Sequence, residues 1–218
     1  MVEKVAAKTK CIIVPGNGCS PGTVRKSNWY GWAEKTIKKT KIFDQVILRD
    51  MPDPFMAHES IWIPFLKNEL GADENTVIVG HSSGAEAAMR LLEEIPLRGI
   101  VLVSACHTDL GDAGEREAGW YARPWQWEKM KANAGSFGIH QFHSNDDPFI
   151  PVSESRHVAK NIGSQYFELK DRSHFFDAPF PELIDLIAKN MKPEESEKPV
   201  GESDKMMEEM KAEEDIQK

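Results

Sequence analysis

Residues 77–90 read Val-Ile-Val-Gly-His-Ser-Ser-Gly-Ala-Glu-Ala-Ala-Met-Arg. A short apolar run, Val77–Val79, suits a buried strand, and the Ala-rich stretch from Ala85 through Glu94 suits a helix. Between them, Gly80-His81-Ser82-Ser83-Gly84 has glycines two residues before and two after a serine. A chain reversing sharply at Ser82 would crowd positions 80 and 84, and glycine relieves that crowding by lacking a Cβ. The pattern is that of a nucleophile elbow. It lifts the Ser82 hydroxyl off the sheet beside a helix N-terminus, where developing negative charge is favoured.

The rest of the chain repeats strand then helix. Cys11–Val14 reads as the first buried strand and ends in the turn Pro15-Gly16-Asn17-Gly18. A helix is expected to open over Trp29–Ile37, then a strand over Gln45–Leu48 that the prolines at 52 and 54 close off. His58–Leu70 has helical spacing, with Pro64 expected to kink it or mark a helix start and Gly71 to cap it. Pro96 stops the elbow helix before a strand over Gly99–Ser104. A helix from Trp125, a strand over Ile139–His143 and a helix over Ser153–Asn161 with Ser153 as N-cap follow. A strand over Gln165–Leu169 and a helix over Pro181–Asn190 complete the series. This alternation predicts an α/β fold: a mostly parallel sheet with helices on both faces. In such sheets the site lies at the carboxyl ends of the strands. Residues far apart in sequence, each just after a predicted strand, then share one rim.

A serine hydroxyl needs a base, and a histidine base needs a carboxylate to fix its tautomer. With an elbow, the expected chain order is Ser, acid, His. Asp147 follows the strand ending at His143 and precedes the rigid Pro148-Phe149-Ile150-Pro151, which favours it over its neighbour Asp146. His174 follows the last strand and is the expected base. His81, inside the elbow, is assigned to holding the loop. His58, His140 and His157 read as surface or core imidazoles, while His107 and His143 lie near the rim. The oxyanion donors are expected to be the backbone N–H groups of Ser83 and Asn17. No phosphate-loop pattern and no His-x-x-x-His cluster occurs, so neither a nucleotide nor a metal site is expected. Of the six Trp, Trp62 reads as core, whereas Trp29, Trp32, Trp125 and Trp127 are pocket candidates against the alternative of packing the loops down.

The net charge of −8 argues against nucleic acid only weakly, because ten acids and four bases between Glu194 and Lys218 hold six of those eight charges. The division expected is a folded domain over residues 1–192 and an acidic, disordered tail over 193–218. No apolar run is long enough to span a bilayer, and the N-terminus lacks the apolar core of a signal peptide, so a cytoplasmic protein is expected. Three cysteines without metal-type spacing fit reduced thiols, with Cys11 and Cys106 in the core and Cys19 in a loop.

Several longer stretches carry a resemblance. Pro15–Gly18, Trp29–Trp32, Met51–Pro54, Glu59–Trp62, Gly80–Gly84, Arg123–Lys129 and Asp146–Phe149 together resemble the retinoblastoma-binding protein 9-like family of small serine hydrolases, from about Cys11 to Asn190. The resemblance implies an α/β-hydrolase fold without a large cap domain and a triad at Ser82, Asp147 and His174. It implies cleavage of small esters and amides, including amino-acid esters and aminopeptidase-like activity, with no cofactor. The segment that gives the family its retinoblastoma-binding name would fall at Leu70–Glu74, where Ala72 replaces the expected cysteine and argues against that interaction. His143 stands where a glycine is expected beside the acid. The contrasting expectation is a binding protein with an idle triad, recognising a partner through its Trp-rich loops or its tail.

Overall fold

The computed structural model describes residues 8–191; the acidic stretch 193–218, with its expected disorder, lies outside the described residues. Six strands form one sheet: β1 (Lys10–Val14), β2 (Gln45–Leu48), β3 (Thr76–His81), β4 (Leu97–Val103), β5 (Ala134–Ser144) and β6 (Gln165–Leu169). All five pairings are parallel, in the order β2-β1-β3-β4-β5-β6. The helices are α1 (Tyr30–Thr40), α2 (Glu59–Pro64), α3 (Ser83–Glu94), α4 (Ala113–Ala118), α5 (Trp127–Asn133), α6 (Val152–Ile162) and α7 (Pro181–Asn190).

Burial on both faces follows from the alternation of side chains along each strand. Ile12, Val14, Ile78, Ile100 and Leu102 point to one core, with α2, α3, α5 and α6 packed over it. Cys11, Ile13, Val77, Val79, Val101 and Val103 point to the other, covered by α1 and α7. Cys11 and Cys106 are buried and Cys19 is half-buried; all three are free thiols. Among the described residues, no helix is long and apolar enough to cross a membrane.

Pro64 does not end its helix. The chain continues from α2 into a π-helical stretch, Phe65–Glu69. A wider turn accommodates a proline that supplies no N–H and whose ring crowds the preceding turn. Gly71, at φ +63°, then closes it as expected. Leu70 and Ala72 on either side are buried. Several boundaries differ from the sequence expectation: β4 starts at Leu97 instead of Gly99, and α5 at Trp127 instead of Trp125. β5 begins at Ala134, in a Gly-containing stretch without strand-like alternation. α6 starts after Pro151, so Ser153 is inside the helix and does not cap it. The short α4 was not expected; Asp112 caps it by accepting from the Glu115 N–H at 3.0 Å.

Strand order reverses direction between β1 and β3, which opens a crevice at their carboxyl ends. The loop after β1 and the elbow after β3 meet there. Ser82 has φ 53° and ψ −126°, a left-handed conformation that costs on the order of 1–3 kcal/mol in a non-glycine residue. A Cβ on Gly80 would lie 2.1 Å from the Gly84 carbonyl oxygen, and one on Gly84 would lie 2.3 Å from the Val14 oxygen. Both obstacles are backbone, so neither can move aside. Replacing Gly80→Ala is expected to destabilise the fold by roughly 3–5 kcal/mol, read as a lower urea midpoint at unchanged m-value.

Candidate active site

Ser82, Asp147 and His174 come from three separate strand ends. Ser82 and His174 both line a cavity of about 430 Å³, together with Asn17 and Ser83. Geometry distinguishes the two neighbouring aspartates. Asp147 Oδ2 lies 2.8 Å from His174 Nδ1. Asp146 instead accepts from the Ser144 hydroxyl and from the Ser173 N–H, holding the loop that carries the histidine.

Asp147 is fixed from both of its oxygens. Oδ1 accepts from the N–H groups of Phe149 and Ile150, at 2.9 and 3.0 Å. Oδ2 accepts from the Ser104 hydroxyl at 2.9 Å as well as from His174. Ser104 reaches it because the end of β4 turns at φ +52°. Burial raises the Asp147 carboxyl, but the His174 ring and the two loop N–H groups outweigh it and hold the pKa below the ordinary aspartate range. With Nδ1 engaged by the carboxylate, Nε2 is the ring nitrogen left to exchange a proton within the cavity.

Ser83 begins α3, so its N–H belongs to the first turn, whose donors have no intrahelical partner. Asn17 follows Gly16 on the facing loop. A Cβ on Gly16 would stand 3.1 Å from Ser82 Cβ, so the two loops approach closely. This arrangement can surround one small carbonyl group with a hydroxyl, an imidazole and two backbone donors. Among the described residues no group of His, Cys, Asp and Glu has the geometry of a metal site.

The tryptophans are placed differently from expectation. None of Trp29, Trp32, Trp125 and Trp127 lines this cavity. Trp29 is fully buried, edge-on to Tyr30 and Phe180 beneath the elbow. Trp32 packs half-buried against the α1/α7 core. Trp125 lies over the Arg90 guanidinium, 3.7 Å from its Cζ, and donates to the His107 carbonyl. Trp127 stacks on Trp125. Arg90 explains that cluster: it is fully buried on α3, pairs with Glu93 and donates to the carbonyls of Trp120 and Arg123. The Trp-rich loop is thus clamped to α3, away from the elbow. His107 and His143 are not in the lining either. His107 stacks on His157 at 3.8 Å, and buried His143 lies 3.1 Å from the Ile150 carbonyl, under the Asp147 turn.

The residues that do form the cavity were mostly missed in the sequence. Phe149, Phe176 and Leu110 are exposed at its mouth, with Phe149 edge-on to His174 at 5.1 Å between ring centres. Tyr121 and Glu86 form part of its wall, and burial raises the Glu86 carboxyl well above the ordinary range. Glu86 occurs one turn into α3, a position whose closeness to the elbow was available from the helix repeat alone.

The comparisons agree with this geometry. The family model described as "Serine hydrolase" matches residues 11–181. "Serine hydrolase RBBP9" of Rattus norvegicus is 47% identical over 189 residues, spanning 87% of this chain and 99% of that protein. Among solved structures, the ydeN gene product from B. subtilis superposes with a TM-score of 0.72 at 24% identity, over 84% of this chain and 98% of that one. The esterase RhEst1 from Rhodococcus sp. ECU1013 gives a TM-score of 0.53 at 15% identity, over 84% and 91% of the two chains. These two likenesses speak to the fold.

The depressed Asp147 carboxyl gives a pH test. Its contribution to stability is fully present above the unfolded aspartate value of about 4 and is lost as pH falls through the lower folded value. Asp147→Asn should therefore flatten the acid side of the stability curve below about pH 4, measured by urea unfolding across a pH series. With the elbow folded, the sheet order of the fold and the family match in agreement, the chain belongs to the serine hydrolase family and carries a compact α/β-hydrolase fold.

Proposed function

We propose that this hydrolase cleaves small esters or amides through an acyl-enzyme, with Ser82 as nucleophile, His174 as base and Asp147 as the orienting acid. The observation that carries the reading is the Asp147–His174 hydrogen bond, opening onto the cavity that Ser82 lines. Ser82 Oγ attacks the carbonyl carbon while His174 Nε2 takes the hydroxyl proton. The oxyanion is held by the Asn17 and Ser83 N–H groups. As the intermediate collapses, His174 returns the proton to the leaving alcohol or amine. Water then enters, gives a proton to His174 and attacks the acyl carbon, and the imidazolium re-protonates Ser82 as the acid leaves. Asp147 remains ionised throughout, which its lowered pKa favours.

The cavity lining supports acyl groups that bear an amine, the aminoacyl esters and amides that the family resemblance implies. Asp109 and Asp112 line it and carry this argument; Glu86 and Glu115 also line it, but burial raises their carboxyls and so weakens their part in it, and no Lys or Arg lines it among the described residues. Retinoblastoma protein is not among the proposed partners: Ala72 replaces the expected cysteine, and both Leu70 and Ala72 are buried.

A fluorophosphonate probe should label Ser82, and Ser82→Ala should abolish labelling. Asp147→Asn should lower kcat by up to about 10⁴-fold, whereas Asp146→Asn should cost far less. Labelling that persists in Ser82→Ala would refute the assignment; a folded protein that neither labels nor turns over would favour the binding-protein reading. In a substrate panel, free aminoacyl esters should give a higher kcat/KM than their N-acetylated counterparts. Equal values would remove the carboxylates from the recognition argument.

A further inference from the structure

His81 occupies the elbow position next to Ser82; its ring is buried, and it and Tyr30 form part of the cavity's inner lining. Its Nδ1 lies 2.6 Å from the Tyr30 hydroxyl, and its Nε2 lies 2.9 Å from the backbone carbonyl oxygen of His174. Tyr30, also buried, receives two further hydrogen bonds at its hydroxyl. One comes from the Gly16 N–H and one from the Asn28 side-chain amide, each at 3.0 Å.

Counting donors fixes every proton in this chain of contacts. A phenol has one proton and two lone pairs. The Gly16 N–H and the Asn28 amide N–H only donate, so they occupy both lone pairs of Tyr30. The phenol proton then goes to His81 Nδ1, which must be bare. The ring proton of neutral His81 therefore sits on Nε2 and donates to the His174 carbonyl. A second ring proton would face the Tyr30 O–H head-on, and burial independently pushes the His81 pKa down to about 3.

We propose that Tyr30 and His81 are a positioning pair: a one-directional line of hydrogen bonds, Gly16 N–H to Tyr30 to His81 to the His174 carbonyl, sets the oxyanion loop and the base loop around Ser82. The line begins one residue before Asn17, passes through the residue before Ser82, and ends on the backbone of His174. It spans the three segments that the proposed reaction needs in register. Tyr30 and His81 lie in the cavity's inner wall, but their polar atoms are committed to this line and take no part in the proton transfers of the scheme. They act through the loops they hold. The inference rests on reading His174 as the base.

The first measurement needs no variant. Long-range ¹H–¹⁵N spectra of the ¹⁵N-histidine-labelled protein at neutral pH should give His81 as a neutral ring protonated at Nε2. An Nδ1–H tautomer or a charged ring would overturn the proposal, and this result does not depend on whether Ser82 is the nucleophile. Next, Tyr30→Phe should lower kcat per probe-titrated active site by about tenfold or more, with KM changed little, since small misplacement of catalytic loops is costly. Unchanged kcat per titrated site would overturn the proposal, because a merely structural role lowers only the fraction of active sites. Finally, His81→Gln can still donate to the His174 carbonyl and should retain more kcat than His81→Leu. Equal loss in the two would contradict the directional line. If Ser82→Ala keeps full activity, the catalytic reading fails while the tautomer result stands; if Ser82 is the nucleophile and the tautomer is reversed, only the positioning pair fails.

Discussion

Gly84 passes so close to the β1–loop backbone that a Cβ there would lie 2.3 Å from the Val14 oxygen and 2.6 Å from the Pro15 oxygen. That close approach pins the start of α3 against the end of β1, at the point where the sheet reverses its strand order. Everything placed around Ser82 depends on it. The Ser82 backbone is strained at φ 53°, and strain of this kind persists only where surrounding structure over-determines it. Here the surrounding structure is the two flanking strands, buried on both faces, together with a helix whose first residues are all buried.

The same crowding leaves buried polar groups behind the serine that must satisfy one another. Tyr30, His81 and the His174 carbonyl do so behind the elbow, while Ser104, His174 and the 149–150 backbone do so around Asp147. Two networks thus hold the base loop from opposite sides. One fixes the ring through Nδ1 and the other fixes the backbone. Neither network engages the His174 Nε2, and His174 lines the cavity together with Ser82.

Much of this was legible in the sequence because it rests on local rules. The glycine spacing at 80 and 84 announces a steric conflict, and two-sided burial shows in the apolar runs of β1, β3 and β4. The order of serine, aspartate and histidine follows from one site built at strand ends. The tryptophans were not legible. Trp125 and Trp127 lie in a loop that could have covered the cavity, and only the buried Arg90, 35 positions before Trp125, draws it to the far side of α3. Trp29 differs from a pocket residue only by which way α1 presents it, and helical spacing places it beside Tyr30 without saying which of the two meets the core. The Ser104–Asp147 contact and the Tyr30–His81 line join residues 43 and 51 positions apart, so no sequence window contains them. The start of β5 was not legible because its glycines at 135 and 138 approach Leu97, Arg98 and Gly99 by backbone, leaving Phe137 as the one large buried side chain of that stretch.

The central claim is that the strained serine becomes covalently acylated and that the fixed histidine then drives its release. Intact-protein mass spectrometry after rapid acid quench of the enzyme with an activated aminoacyl or short-chain aryl ester tests this directly. The account predicts a single acyl increment that maps to the peptide containing Ser82, appears before steady-state turnover, and is absent in Ser82→Ala. Turnover with no adduct at any quench time, or an adduct on another residue that survives Ser82→Ala, would contradict it.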